Sequence, residues 1–252
     1  MTEENGVPPE VALLWGMREA PRRGRKPALS VTEITRAAIE VADAEGLGAV
    51  SMARVAQQLG NSTMALYRYV RSKDDLLKLM TDAALDDPPD MPADGDWRAR
   101  LTLWSFSVLA ALRKHPWYAR IPLSGPPVGP RNLAWFDAAL AALDDTPLNE
   151  DEKVAVVMGL LTFVHGEMRM TAELAEGFRE NPEAFGASYA RALRLVVDPR
   201  RMPALSRVVE AGVFDQETLY DESDLDADFR FGLALYLDGV GSYLARRECP
   251  GS

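Results

Sequence analysis

Apolar residues recur along this chain chiefly at intervals of three and four. Ile34, Ala37, Ala38, Val41 and Ala42 fall at i, i+3, i+4, i+7 and i+8, the spacing of one helix face. Ser30 and Glu33 ahead of them form an S-x-x-E capping box, and Gly46 and Gly48 end the segment. Ser51 caps a second, short helix that turns Val55, Ala56 and Leu59 inward. Gly60 and Asn61 tolerate left-handed backbone and predict a turn. A third helix is expected over 62–69, and a fourth starts behind Ser72 with Leu76, Leu77, Met80 and Ala84. Upstream, Val11, Leu14 and Trp15 predict one short amphipathic turn. The Pro- and Asp-rich stretch DDPPDMPADGD, 86–96, cannot continue a helix and marks a boundary.

Beyond it the helical patterns lengthen. They cover 97–114, 132–143, 150–176, 183–197 and 205–211. The segment 150–176 is apolar on most faces between Val154 and Val164 and is expected at the centre of its domain. A last helix carries Phe229, Leu233, Tyr236, Leu237, Val240, Tyr243 and Leu244 on one side. With no run of alternating β-branched residues, the fold class expected is all-α.

Composition narrows the setting. Of 252 residues, 47% are hydrophobic, enough for a real core. No apolar run reaches the roughly 18–20 residues that span a bilayer, so no membrane partner is expected. The acidic start MTEENGVPPE lacks the pattern of a signal peptide. Cys249 is the only cysteine, which excludes an intrachain disulfide and makes the reduced cytoplasm the default location.

A net charge of −10 argues against a polyanionic partner until its distribution is considered. Residues 18–80 hold eleven Lys and Arg against seven Asp and Glu, a net +4. Residues 81–252 hold seventeen against twenty-eight, a net −11. A basic front on an acidic body orients a molecule on nucleic acid. An uneven but solvated surface is the alternative.

Residues 51–70 read as a helix-turn-helix: a slim first helix, a tight turn, and a second short helix for a major groove. Leu66 and Val70 anchor the second helix, leaving Thr63, Met64, Tyr67, Arg68 and Tyr69 outside. Hydroxyls, a guanidinium and aromatics on an outer face suit phosphate contacts, base-edge hydrogen bonds and thymine methyls. The plainer reading is one helical hairpin of a bundle with Tyr67 and Tyr69 in its core.

The stretch TRAAIEVADAEGLGAVSMARVAQQLGNSTMALYRYVRSKDDLL resembles the DNA-binding domain of the TetR family of bacterial regulators. The matching features are Ile34, Ala37-Ala38, Gly46, Ser51-Met52, Val55-Ala56, Leu59-Gly60, Leu66-Tyr67-x-Tyr69-Val70 and Ser72-Lys73-Asp74-Asp75-Leu76. Asn61 departs from the family pattern where a small apolar residue is usual, and Met64 where Gly or Pro is common. The resemblance implies that Thr63, Met64, Ala65, Arg68 and Tyr69 face the groove, that Tyr67 and Lys73 bind phosphate, and that Ser51 sits against the backbone. It also implies a role for the basic run Arg22-Arg23-Gly24-Arg25-Lys26, since such regulators often carry a basic arm. An Arg-rich arm can enter a narrow minor groove; a solubilising tail is the alternative.

Behind the head, the layout of 96–252 is similar to the tetracycline-repressor type of regulatory body. The expected organisation is a leader and basic arm over 1–29, a helix-turn-helix domain over 30–85, and a regulatory and dimerisation domain over 96–252. The resemblance implies a homodimer through the long central helix and the last helix, where Gly239 and Gly241 would permit close approach. It further implies a small apolar organic ligand in the body, released DNA being the response. Trp104, Phe106, His115, Trp117, Trp135, Thr162, Phe163, His165 and Met168 supply the mostly aromatic set such a pocket needs, or are simply core. Thr162 stands where the type member carries a metal-site histidine, so no metal is expected and no cofactor. No HExxH, CxxC or GxSxG motif occurs, and an enzyme is not expected. A helical carrier or enzyme-like body on a non-functional head is the competing reading.

Overall fold

The computed structural model describes residues 6–17, 29–122, 126–182, 185, 187–215 and 222–248. Regular structure among the described residues is entirely helical: α1 (Pro9–Leu14), α2 (Val31–Glu45), α3 (Met52–Gln58), α4 (Thr63–Tyr67), α5 (Lys73–Ala83), α6 (Trp97–Arg113), α7 (Pro130–Ala141), α8 (Glu150–Glu180), α9 (Ala187–Val196), α10 (Pro203–Glu210) and α11 (Glu222–Glu248). The chain divides into two compact units, one of residues 1–164 and 246–252, the other of residues 165–245, so the division falls inside α8 and α11.

In the first unit, α2 to α5 form a small bundle, with α2 packed on both α3 and α5. Ile34, Ala38, Val41, Val55, Leu66, Val70, Leu76 and Met80 are buried at its centre. Each start is fixed by a polar side chain that takes an orphan amide: Ser30 from Glu33 N, Ser51 from Arg54 N, Ser62 from Ala65 N and Ser72 from Asp75 N. The third helix of this bundle is shorter than the expected 62–69, because Ser62 is spent as its cap. Glu33 meets its capping partner through the Ser30 hydroxyl, which donates to the carboxylate over 2.9 Å.

The helix α1 turns Leu13 inward rather than the expected Leu14, packs on α5, and places the Trp15 indole N–H on Val128 O at 2.9 Å. Between α6 and α7, Trp104 donates to Trp135 O at 2.8 Å, with the two rings edge to face. The α8 segment of this unit buries Val157, Leu160 and Val164 but leaves Val154 and Met158 exposed. Its apolar residues thus fall on more than one face, one of them buried and another exposed. Lys153 pairs with both Asp144 and Glu150 and fixes the α7–α8 turn.

In the second unit, α9 packs on α10 and the edge-to-face pairs Phe178–Phe185 and Tyr189–Phe214 hold the intervening chain. Arg194 pairs with Asp215 at 2.6 Å. On the expected apolar side of the last helix Phe229, Leu233, Leu237 and Val240 are buried, whereas Phe231 and Leu235 stand in solvent.

Candidate nucleic-acid interface

The turn between α3 and α4 is built by its glycine. Gly60 has φ +64°, left-handed backbone that L side chains rarely adopt. Its N–H bonds Gln57 O and that of Asn61 bonds Ala56 O, the paired 5→2 and 6→1 bonds of a Schellman cap. Asn61, where the family pattern has a small apolar residue, donates its side-chain amide to Leu59 O at 2.9 Å. On the far side of α3, Arg54 grips Glu45 through Nε at 3.1 Å and donates to Gln58. The hydrogen bond from Arg54 holds the Glu45 carboxyl below its ordinary range, so this pair is ionised and braces α3 against the end of α2.

The turn delivers α4 with Leu66 and Val70 fully buried beneath it. What remains outside is the predicted reading face. Met64 is 73% exposed and Tyr67 46%. Arg68 is exposed, and Thr63, Ala65 and Tyr69 are half-buried beside them. Lys73 is exposed at the start of α5. Ser51 lies exposed at the start of α3, with its oxygen engaged as the cap. Among the described residues Arg68, Arg71 and Lys73 form no ion pair, so three cations flank α4 unneutralised. Arg71 escaped the sequence reading. It sits between a core valine and a capping serine, outside any periodic face, and only its exposure reveals it. Arg22, Arg23, Arg25 and Lys26 lie outside the described residues.

The residues considered for a small-molecule pocket fall in several places. In the first unit, Trp104, Trp117 and Trp135 are buried, and each indole N–H is used within the protein: on Trp135 O, on Asp43 Oδ1 and on Asp86 O. His115 also meets Asp43, 2.8 Å away on α2, and stacks loosely on Trp117. These bonds tie α6 to α7, and the turn after α6 to α2. Phe106 and Phe163 are half-buried, and Thr162 is exposed with its hydroxyl donating to Met158 O. In the second unit His165 is half-buried and Met168 buried. That unit also holds a cleft of about 150 Å³ lined by Arg194, Val197, Ser206, Val209 and Glu210, none of which the sequence singled out. No group of three or more His, Cys, Asp and Glu able to hold a metal ion occurs among the described residues.

Comparison with known proteins accords with this head. The profile of bacterial regulatory proteins of the tetR family matches residues 34–80, and that of the tetracyclin repressor-like C-terminal domain matches residues 88–244. The chain is 35% identical over 242 residues to the HTH-type transcriptional repressor DrrR1 of Streptomyces coeruleorubidus, covering 94% of this chain and 86% of that one. It is 27% identical to the class A tetracycline repressor protein from transposon 1721 of Escherichia coli, over 84% of this chain and 90% of that protein. In fold it is similar to the Streptomyces coelicolor TetR family protein ActR in complex with actinorhodin, with a TM-score of 0.69 at 24% identity, covering 86% of this chain and 97% of that one. The helix-turn-helix of α3 and α4, the unneutralised cations around it and the two profile matches together place this chain in the TetR family of helix-turn-helix transcriptional regulators.

Proposed function

We propose that the protein is a ligand-responsive repressor that binds a near-palindromic operator as a homodimer and leaves it when a small apolar organic molecule binds the helical body. Residues 30–85 serve as the DNA-reading head and 96–252 as the regulatory and dimerisation body, working in the cytoplasm. The observation that carries this reading is the outer face of α4: Met64, Tyr67 and Arg68 in solvent over a fully buried Leu66, with Lys73 beside them. An exposed thioether and phenol gain little from water but can contact thymine methyls and a phosphate. Tyr67 and Lys73 position the helix on the backbone, while Thr63, Met64, Ala65, Arg68 and Tyr69 face the bases.

Dimerisation is supported by exposed apolar residues on both helices assigned to it: Val154 and Met158 on α8, and Phe231 and Leu235 on α11, where Gly239 has open space around it. The ligand response is assigned to the body, with half-buried Phe106 and Phe163 as the first residues to test. ActR, whose structure holds actinorhodin, supports a planar aromatic compound as the chemical class to try. A relative named as a repressor supports the sign of the response. The test is fluorescence-anisotropy titration against genomic fragments, repeated with a panel of planar apolar compounds. Specific binding that one compound relieves is expected. Absence of any preferred fragment would refute the regulator reading, and a preferred fragment that no compound releases would refute the ligand response alone.

A further inference from the structure

The helix α7 begins without a cap of its own. Position 129, where a capping side chain would stand, is glycine, and Pro130 follows as the first helical residue. Its first amides are orphan donors that need an acceptor. They find one on another helix: Asp82 of α5, whose Oδ1 accepts from Arg131 N at 3.1 Å, Asn132 N at 3.0 Å and Asn132 Nδ2 at 3.0 Å. Gly129 has an ordinary backbone conformation (φ −77°, ψ 150°), so the chain does not need glycine there for its torsions. It needs glycine for space, since a Cβ would lie 2.1 Å from Asp82 Oδ1.

The end of α5 is completed in the opposite direction. It has no basic residue in its last turn. Arg131 of α7 supplies one, donating through Nη1 to Ala83 O at 2.9 Å and Leu85 O at 2.7 Å. Trp135, one turn further along α7, donates to Asp86 O at 2.7 Å. Each helix thus lacks its own terminal partner and supplies the other's. Asp82 is only 7% exposed, so its carboxylate stays satisfied only while α7 holds this place. At its other end, α5 belongs to the head core through Leu76 and Met80.

We infer that this reciprocal cap is the joint that fixes the angle at which the DNA-reading head is carried, and that Asp82 is a positioning residue for operator binding although it is remote from the reading face. The inference rests on the proposed dimeric DNA-reading function. Two heads held at a fixed angle match one separation of half-sites. Loosening the joint removes that selectivity without altering what a single head recognises.

The experiment uses the full-length protein and duplexes that carry its selected operator with the spacer shortened or lengthened by one and two base pairs, together with a duplex bearing a single half-site. Asp82→Ala and Arg131→Gln are compared with wild type and with Asp82→Asn, which keeps an acceptor at the joint. Wild type should favour one spacer. Asp82→Ala and Arg131→Gln should lower that preference about tenfold, the ratio expected from losing a charge-assisted hydrogen bond, and keep half-site affinity within about twofold. Asp82→Asn should retain most of the preference. Arg131 is exposed, so its variant carries the test should Asp82→Ala fail to fold. Folded variants with the wild-type spacer preference would overturn the inference. So would an equal loss on full site and half-site, which indicates a general loss of structure. A wild type that binds no duplex specifically overturns the DNA-reading function itself, and this inference with it.

Discussion

Tyr67 and Arg68 are neighbours on the exposed side of α4, yet different losses are expected from them. The Tyr67 hydroxyl is assigned to a phosphate, which carries no sequence information. Tyr67→Phe should weaken binding to every sequence by about 1 kcal/mol, the usual size of one hydrogen bond. Arg68 is assigned to base edges, so Arg68→Ala should relax base preference as well as affinity. Titrating both variants against the operator and its single-base mismatches separates the two roles, and unchanged affinity with an unchanged consensus would contradict the assigned face. A buried residue supplies a second test. Burial, and after it the charge of Asp82, raises the Tyr118 phenol from 10.0 to about 12. The unfolded chain releases this proton near pH 10 and the folded one only near 12. Its contribution is therefore complete below pH 10 and lost between 10 and 12, on the order of 2–3 kcal/mol. Tyr118→Phe should flatten the fall in melting temperature across that window; an identical slope would contradict it. At this scale the sequence was informative where neighbours in the chain determine the answer. The caps at Ser51 and Ser72 and the anchors Leu66 and Val70 could be read directly. Asp43 could not be foreseen as the partner of both His115 and Trp117, because more than seventy residues separate them and no periodicity connects them.

Among the elements, α1 alters how the basic segment has to be tested. It packs on α5 and bonds the chain at Val128 through Trp15. Removing residues 1–26 would take away a packed helix along with Arg22, Arg23, Arg25 and Lys26. Replacing those four by Ala is the cleaner change, and affinity should fall mainly on sites with A·T-rich flanks. Equal loss on all flanks would contradict a minor-groove role. The deletion should, in addition, lower the melting temperature. The last helix requires a similar distinction. Its regular apolar side includes Val240 at 9% exposure, and its most exposed apolar residues are Phe231 at 66% and Leu235 at 57%. Phe231→Glu with Leu235→Glu should therefore yield a folded monomer by sedimentation. Val240→Glu, the change that periodicity suggests, should unfold the chain by burying an unpaired charge. A Phe231, Leu235 double variant that remains dimeric would place the interface elsewhere. Periodicity identifies which side of a helix is apolar, not what covers it. For a related reason the start of α7 was placed two residues late: its cap comes from Asp82, which local sequence cannot reveal.

For the molecule as a whole, the separation of charge along the chain is the property most exposed to experiment. A net +4 over residues 18–80 against −11 over residues 81–252 should give operator affinity that falls steeply and linearly in log–log form with salt, as phosphate counterions are released. A flat salt response would mean that Arg71 and Lys73 do not meet phosphate. The all-α architecture and the helix-turn-helix were legible because they rest on local spacing, capping residues and a turn glycine. Which tryptophans line a pocket is not legible in the same way, since a buried tryptophan that ties helices together and one that lines a pocket have the same pattern in sequence. The most direct test of the central claim is selection of bound DNA from a random-sequence pool by the full-length protein. An inverted repeat whose half-sites lie roughly one helical turn apart, or somewhat more, is the predicted result. Recovered sequences with no shared motif, or with a motif that lacks two-fold symmetry, would contradict it.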